Sequence, residues 1–377
     1  MSGIRVLHVT DASSSGVLTA VTTIARQQSQ DPRFARVVFA YVLRPDSPSH
    51  EAIEALAGPA VDVQRWSEQL STGRLVDLCR TLLDRLRGGD FDVVHLHSSR
   101  TGLLGRWVAL LTRLRGRTIY SPHAFAFAYA HWKPAKRFTL WALELAGMIA
   151  GRRLVLNSRS EERVARRAFP WARTSVLPNA VDVGRLRQVP RTAEPERPTF
   201  AHVGRIAPAK APDVFAEVAA LVAEREPGVR CRWFGEGDRA LFGASGDRVE
   251  VAGWLTPAEL HRELGSVSAL LFTSRGEGMP MAVLEAQAMG IPVVASRVTG
   301  VVDLVSDGEN GLLADSVPEL ADALVRVLTD PDLAARLSEG ATTFADEFDQ
   351  SRIANRSLTA YLALLPELDA RMIEPGR

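Results

Sequence analysis

Residues 269–296 constrain this chain more than any other stretch. Ala269 to Phe272 is an apolar run of strand length that stops at a polar, Gly-punctuated turn, Ser274 to Gly278. Apolar residues then recur with helical spacing from Met279 to Met289, and a second short strand, Pro292 to Ala295, follows at once. The pattern predicts a strand, turn, helix, strand unit, and open parallel sheets bind ligands at the carboxyl ends of such strands.

The same alternation runs through the rest of the chain. Apolar strands are predicted at Ile4 to Val9, Val37 to Val42, Val61 to Val63, Val93 to Leu96 and Thr118 to Tyr120, with Leu154 to Leu156 and Val176 to Leu177 extending the set. Helical stretches separate them, which is the pattern of a parallel sheet covered on both faces. Residues 186–198 then combine three prolines with charges and no apolar period, and read as a linker. From Thr199 the alternation restarts. With 377 residues, the chain is longer than one ordinary core and fits two doubly wound domains, 1–185 and 199–349, with a last helix near 350–370.

Several function classes recede on composition. Cys79 and Cys231, far apart in sequence, have neither metal-ligand spacing nor the density of a disulfide framework, and a cytoplasmic setting is the expectation. The opening MSGIRVLHVT lacks the charged region and long apolar core of a signal peptide, and the longest apolar candidate, Phe138 to Ala150, contains Glu144 and is too short to span a bilayer. Residues 1–180 carry a net charge of +11 against −10 for the remainder. That basic half is either an ordinary solvated surface or a surface for anionic headgroups and phosphorylated acceptors, and no nucleic-acid recognition motif accompanies it.

Two carboxylates stand in the central unit: Glu277 in the turn and, after seven intervening residues, Glu285 among Val283, Leu284, Ala286 and Ala288. A carboxylate there is costly to bury unless hydroxyl-rich chemistry satisfies it. Spacing alone leaves the alternative open, a loop acid and a solvated helix face. Upstream, FAHVGRIAPAK places Gly204, Arg205 and Lys210 after a strand, where two cations suit a diphosphate or simply a solvated loop. In the first half, DASSSGVLTAVTTIA puts Ser15 and Gly16 at a strand-to-helix turn, a place for phosphate or an ordinary cap. VVHLHSSR carries His95 and His97 on one strand face, read as structural without a third ligand nearby. His123 opens an aromatic segment with Phe125, Phe127, Tyr129 and Trp132 that ends in Lys133, Lys136 and Arg137. Those aromatics are either core or, with their cations, an interfacial anchor. Gly235, Gly237 and Ala240 match a dinucleotide fingerprint but lie midway through the second sheet, so a loop is the better reading.

The Glu277-to-Glu285 stretch resembles the Glu, seven residues, Glu signature of retaining glycosyltransferases of family 4, and the Gly204, Arg205, Lys210 segment resembles that family's diphosphate motif. The resemblance implies an α/β GT-B fold, two Rossmann-like doubly wound domains facing across a cleft. It implies that Glu277 contacts the donor sugar, Glu285 holds the ribose, and the turn segment Gly278, Met279, Pro280, Met281 reaches sugar and phosphate through main-chain amides. Arg205 and Lys210 would bind the diphosphate, Trp254 would end the strand bordering the base, and His123 would face the reacting sugar, as in similar enzymes that build cell-surface polysaccharides. Paired glycines are common in the family where this chain has Ser15 and Gly16, and Gly is usual where it has Ala180. The implied activity is a metal-independent hexosyltransferase reaction with a nucleotide-diphosphate sugar as donor, no bound cofactor, and a lipid-linked saccharide acceptor at the inner membrane face. A small-molecule acceptor, a sugar-nucleotide isomerase or hydrolase, a non-catalytic binder and a dehydrogenase are the rivals. The Asp90–Asp92 and Asp330–Asp332 triplets read as turns rather than metal ligands.

Overall fold

The central strands form where short runs rich in Val, Leu and Phe are bounded by Gly, Asp and Ser, and most residues inside them are buried on both faces, as a covered parallel sheet requires. The computed structural model describes residues 3–12, 15–44, 47–67, 75–88, 90–112, 114–129, 131–192 and 197–369. The chain divides into two compact units, one from residues 1–128, 133–180 and 350–377, the other from 129–132 and 181–349.

The first unit holds β1 (Ile4–Thr10), β2 (Phe34–Val42), β3 (Asp62–Ser67), β4 (Val93–His97), β5 (Thr118–Ser121), β6 (Arg153–Leu156) and β7 (Arg173–Val176). Their spatial order is β3-β2-β1-β4-β5-β6-β7, with parallel pairing throughout. Alternation along β1 sends Ile4 and Val6 into one hydrophobic cluster and Leu7 and Val9 into another on the opposite face. The first cluster is completed by Ile353, Leu358, Tyr361 and Leu364 of the helix Ile353–Leu364, so the end of the chain supplies core to its beginning.

The second unit holds β8 (Thr199–Val203), β9 (Arg230–Phe234), β10 (Glu250–Gly253), β11 (Ala269–Phe272), β12 (Val293–Ser296) and β13 (Leu312–Ala314) in the order β10-β9-β8-β11-β12-β13. In each unit the first strand sits mid-sheet and the order runs outward both ways, creating a switch point between β1 and β4 and another between β8 and β11. The helix of the central unit is shorter than its apolar spacing suggests, Met281–Ala288, because Pro280 lies in extended backbone before it. Sequence reasoning did not place β13, whose three residues are too few for a visible period.

The segment expected to link the domains is tied to the second unit. Val183–Arg187 is helical there, and the Arg191 guanidinium donates to the carbonyl oxygens of Val267, Met289 and Gly290. Residues 193–196 lie outside the described residues. The Asp triplets hold structure together: Asp90 and Asp92 pair with Arg5, and Asp330 caps the helix Pro331–Ala345 through the Leu333 amide.

Candidate active site

Because β8 and β11 are neighbours, the loops leaving their carboxyl ends run side by side, and hydrogen bonds bind them together. The Arg275 amide donates to Ala209 O at 2.8 Å, its guanidinium to Pro208 O at 2.7 Å, and Thr273 Oγ1 to Lys210 O at 3.1 Å. Lys210 Nζ lies 2.5 Å from Glu277 Oε1, and both side chains are mostly shielded from solvent, at 25% and 15% exposure. An ammonium and a carboxylate are thereby set against each other at the switch point, each within reach of a ligand's opposite charge or hydroxyl. Arg205, on the same loop as Lys210, is exposed, and Gly204 precedes it.

The turn carrying Glu277 is braced from behind. The Glu277 amide donates to Thr299 O at 3.1 Å, and Gly300, at φ +83°, packs so closely that a Cβ there would meet Glu277 O and Gly278 O at 2.7 Å. Only glycine tolerates both that angle and that approach. Gly300→Ala is therefore expected to cost about 1–3 kcal/mol of stability in the second unit. Urea unfolding followed by tryptophan fluorescence checks this, and an unchanged midpoint would contradict it.

Gly278, Met279, Pro280 and Met281 are buried at the helix start, where backbone amides and the helix dipole favour an anion. Glu285, one turn into that helix, lies with Oε1 3.7 Å from His261 Nε2, which is buried with no hydrogen-bond partner among the described residues. Trp254 is 60% exposed just after β10, and its amide donates to Glu236 Oε1 at 3.3 Å. The fingerprint glycines have a packing role instead: a Cβ on Gly235 would meet Gly204 O at 2.1 Å, and one on Gly237 would meet Ile206 O at 2.2 Å. They let the β9 loop lie directly on the backbone after β8.

His202 escaped sequence reasoning. It is fully buried in β8 and stacked between Trp233 and Phe272, with ring centroids 4.0 and 5.1 Å away. Burial first, then the Lys210 charge, pushes its pKa down to about 3.

In the first unit, His123 follows β5 with φ +57°, and Ala124 follows at +116°, two strained residues in succession. Buried Glu161 pins this turn by accepting the Ala124 amide at 2.8 Å. His123 Nε2 lies 2.9 Å from His97 Nδ1, and burial lowers its pKa to about 4. His95 and His97 are buried on one face of β4 as their spacing suggested, and His8 of β1, which sequence reasoning passed over, joins them. Ser15 opens the helix Ser15–Ser29, its side chain outside the described residues, and Gly16 is exposed in that first turn. Phe125 is core, whereas Lys133, Lys136, Arg137 and Phe138 are exposed.

Two parallel sheets, each with loops gathered at a switch point, define a two-domain α/β protein of the GT-B architecture. Residues 14–185 match the family model described as Glycosyltransferase Family 4, and residues 197–330 match that described as Glycosyl transferases group 1. The D-inositol 3-phosphate glycosyltransferase of Actinosynnema mirum is 31% identical over 305 residues, 72% of each chain. The UDP-Gal:alpha-D-GlcNAc-diphosphoundecaprenol alpha-1,3-galactosyltransferase of Escherichia coli is 29% identical over 272 residues, 66% of this chain and 70% of that one. Among solved structures, Anabaena HepE in complex with UDP and glucose superimposes with a TM-score of 0.77 at 17% identity, covering 94% of this chain and 98% of its own. Sucrose-phosphate synthase from Thermosynechococcus elongatus gives 0.77 at 20% identity, covering 97% and 99%. The chain belongs to glycosyltransferase family 4 and is a glycosyltransferase.

Proposed function

We propose that this glycosyltransferase moves a sugar, with retention at the anomeric carbon and without a metal ion, from a nucleotide-diphosphate sugar to a hydroxyl of a lipid-linked saccharide. The observation that carries the donor side is the Lys210–Glu277 pair at the β8/β11 switch point. Loss of a nucleoside diphosphate leaves charge on phosphate as the sugar gains positive character, so cations and amides must aim at the leaving oxygen. Lys210, Arg205 and the amino end of the helix Met281–Ala288 supply that charge. Glu277 orients the sugar through its hydroxyls, Glu285 holds the ribose, and His123 touches the sugar. A metal is unnecessary to this scheme, since the positive charge comes from the protein. The two Asp triplets are better explained by their work on Arg5 and on a helix amino end.

The acceptor side rests on the first unit's surface. Phe138 and Ile149, eleven positions apart and so about three turns along one face of the helix Pro134–Ala150, are 66% and 62% exposed. Trp107 and Leu111, on the helix Ser99–Leu111 packed beside it, are 40% and 72% exposed. Apolar side chains left in water beside Lys133, Lys136 and Arg137 suit a peripheral seat on an anionic bilayer at the cytoplasmic face. No helix among the described residues is long and apolar enough to cross a membrane. The name of one relative favours a second reading, a small-molecule acceptor: the inositol 3-phosphate glycosyltransferase above.

A panel of nucleotide sugars, assayed with EDTA against lipid-linked saccharide and inositol phosphate acceptors, tests both readings. Turnover of one donor that survives EDTA, gives the retained anomer by NMR and falls in Glu277→Ala supports the proposal. An inverted anomer or loss of turnover with EDTA overturns the mechanism, and exclusive use of a soluble acceptor overturns the lipid-linked reading.

A further inference from the structure

Beneath the helix Ile353–Leu364, four imidazoles join into a hydrogen-bonded chain whose proton positions can be read from its ends. Ser121 Oγ donates its one proton to Val155 O at 2.7 Å, so His95 Nε2, 2.8 Å away, must be the donor between them. His95 Nδ1 is then an acceptor, and Tyr361 OH, at 3.0 Å, donates to it. Ser357 Oγ likewise spends its proton on Ala354 O at 2.8 Å. The Gln28 amide nitrogen therefore donates at 3.0 Å to both Ser357 Oγ and Tyr361 OH, which fixes the amide's orientation and turns Oε1 toward His8. His8 Nε2, 2.8 Å from that oxygen, must carry a proton.

The rest follows link by link. A neutral His8 has Nδ1 as acceptor, so His97 Nε2 donates to it across 3.0 Å. His97 Nδ1 is then an acceptor, and His123 Nε2 donates to it across 2.9 Å. One ring nitrogen is left over: His123 Nδ1, a lone pair with no hydrogen-bond partner among the described residues. Burial holds His8 and His123 near pKa 4, so neutral tautomers apply around pH 7.

We propose that Gln28, His8 and His97 are a positioning relay that locks His123 in its Nε2–H tautomer and presents Nδ1 as a hydrogen-bond acceptor to a substrate hydroxyl. The proposal rests on the reading of His123 as a sugar contact. Nitrogens of His8, His95 and His97 lie within 4.8 Å of one another, as a metal site would require, yet donors and acceptors balance around every one of them without an ion. A hydroxyl facing an Nε2–H tautomer can donate; facing the opposite tautomer it meets a second donor. The relay thus selects the polarity of the contact, not merely its place.

Long-range 1H–15N correlation spectra of histidine-labelled protein read each tautomer directly. The parent should show Nε2–H at His8, His95, His97 and His123. Gln28→Met removes the acceptor that sets the chain's direction, and His123 should lose its single Nε2–H signature, while Ser121→Ala should disturb only His95. In transfer assays kcat of Gln28→Met should fall about tenfold with the donor KM within about twofold. A parent His123 that carries its proton on Nδ1, or a Gln28→Met protein with an unchanged His123 spectrum, overturns the relay. The parent spectrum decides even if Gln28→Met does not fold. If no donor is turned over, the reading of His123 as a sugar contact fails with the proposed function, whereas the tautomer spectra still accept or reject the relay.

Discussion

Lys210→Ala is expected to lower kcat/KM for the nucleotide-sugar donor by about 10²–10³-fold while the protein remains folded. Lys210 is part-exposed, with its ammonium on Glu277 and over the edge of the core at the Phe272 ring, 5.4 Å from the centroid, so its loss leaves a solvent-accessible gap rather than an enclosed cavity. What it removes is the cation that, among the described residues, sits against the Glu277 carboxylate. With the ammonium gone, Glu277 would repel an incoming diphosphate instead of being screened from it, and the developing charge on the leaving phosphate would lose its nearest counter-charge. Lys210→Arg should recover only part of the rate, because a planar guanidinium tied to Glu277 cannot swing as a point charge does. Steady-state kinetics with the donor identified by the panel, alongside circular dichroism of both variants, checks this. Activity of Lys210→Ala within about threefold of the parent would remove Lys210 from the mechanism.

The second large effect is acid lability of the first unit. His8 is fully buried and held near pKa 4 by burial, and His95 and His97 are pushed down by the same cause, reinforced by their neighbouring imidazoles. Each is neutral in the fold and protonates near the ordinary value of 6.5 once unfolded. Between about pH 6.5 and 4 the unfolded chain therefore binds more protons, and stability falls as pH drops through that window. His8 alone accounts for about 3 kcal/mol by pH 4 at roughly 1.4 kcal/mol per pH unit. Urea midpoints measured by circular dichroism at pH 7.5 and 5 should differ clearly, and His8→Asn should flatten the slope. A midpoint independent of pH across that range would show that the cluster is already charged or open to water.

The architecture was legible for physical reasons. Parallel strands buried on both faces read as largely apolar runs, so β1, β4 and β11 announce themselves, whereas β13, only Leu312 to Ala314, has no room for a pattern. Glu277 and Lys210 stand in local motifs, each within a dozen residues of a strand end, yet spacing alone left them a loop acid and a solvated-loop cation; the family resemblance singled them out, and the structure sets their side chains against each other. The histidine chain was not local. His8 sits inside a mostly apolar strand; its partners His97 and Gln28, and Tyr361 beyond Gln28, come from another strand and two helices, brought together by the register that sets His8 beside His95. Gly300 likewise shows no reason for itself until the turn at Glu277 is seen lying against it. The Gly235 and Gly237 spacing was visible but ambiguous, since close backbone approach serves loop packing as well as a dinucleotide.

The return of the helix Ile353–Leu364 to the first unit sets the order in which a ribosome can deliver a finished protein. All but four residues of the second unit form one unbroken stretch, 181–349, and can collapse as soon as they emerge. The first unit, although translated earlier, must wait with Ile4, Val6 and Phe39 uncovered and with Gln28 and His95 lacking Tyr361. A fragment ended at residue 180 would be born permanently in that state. The half that begins the chain is the last to be completed.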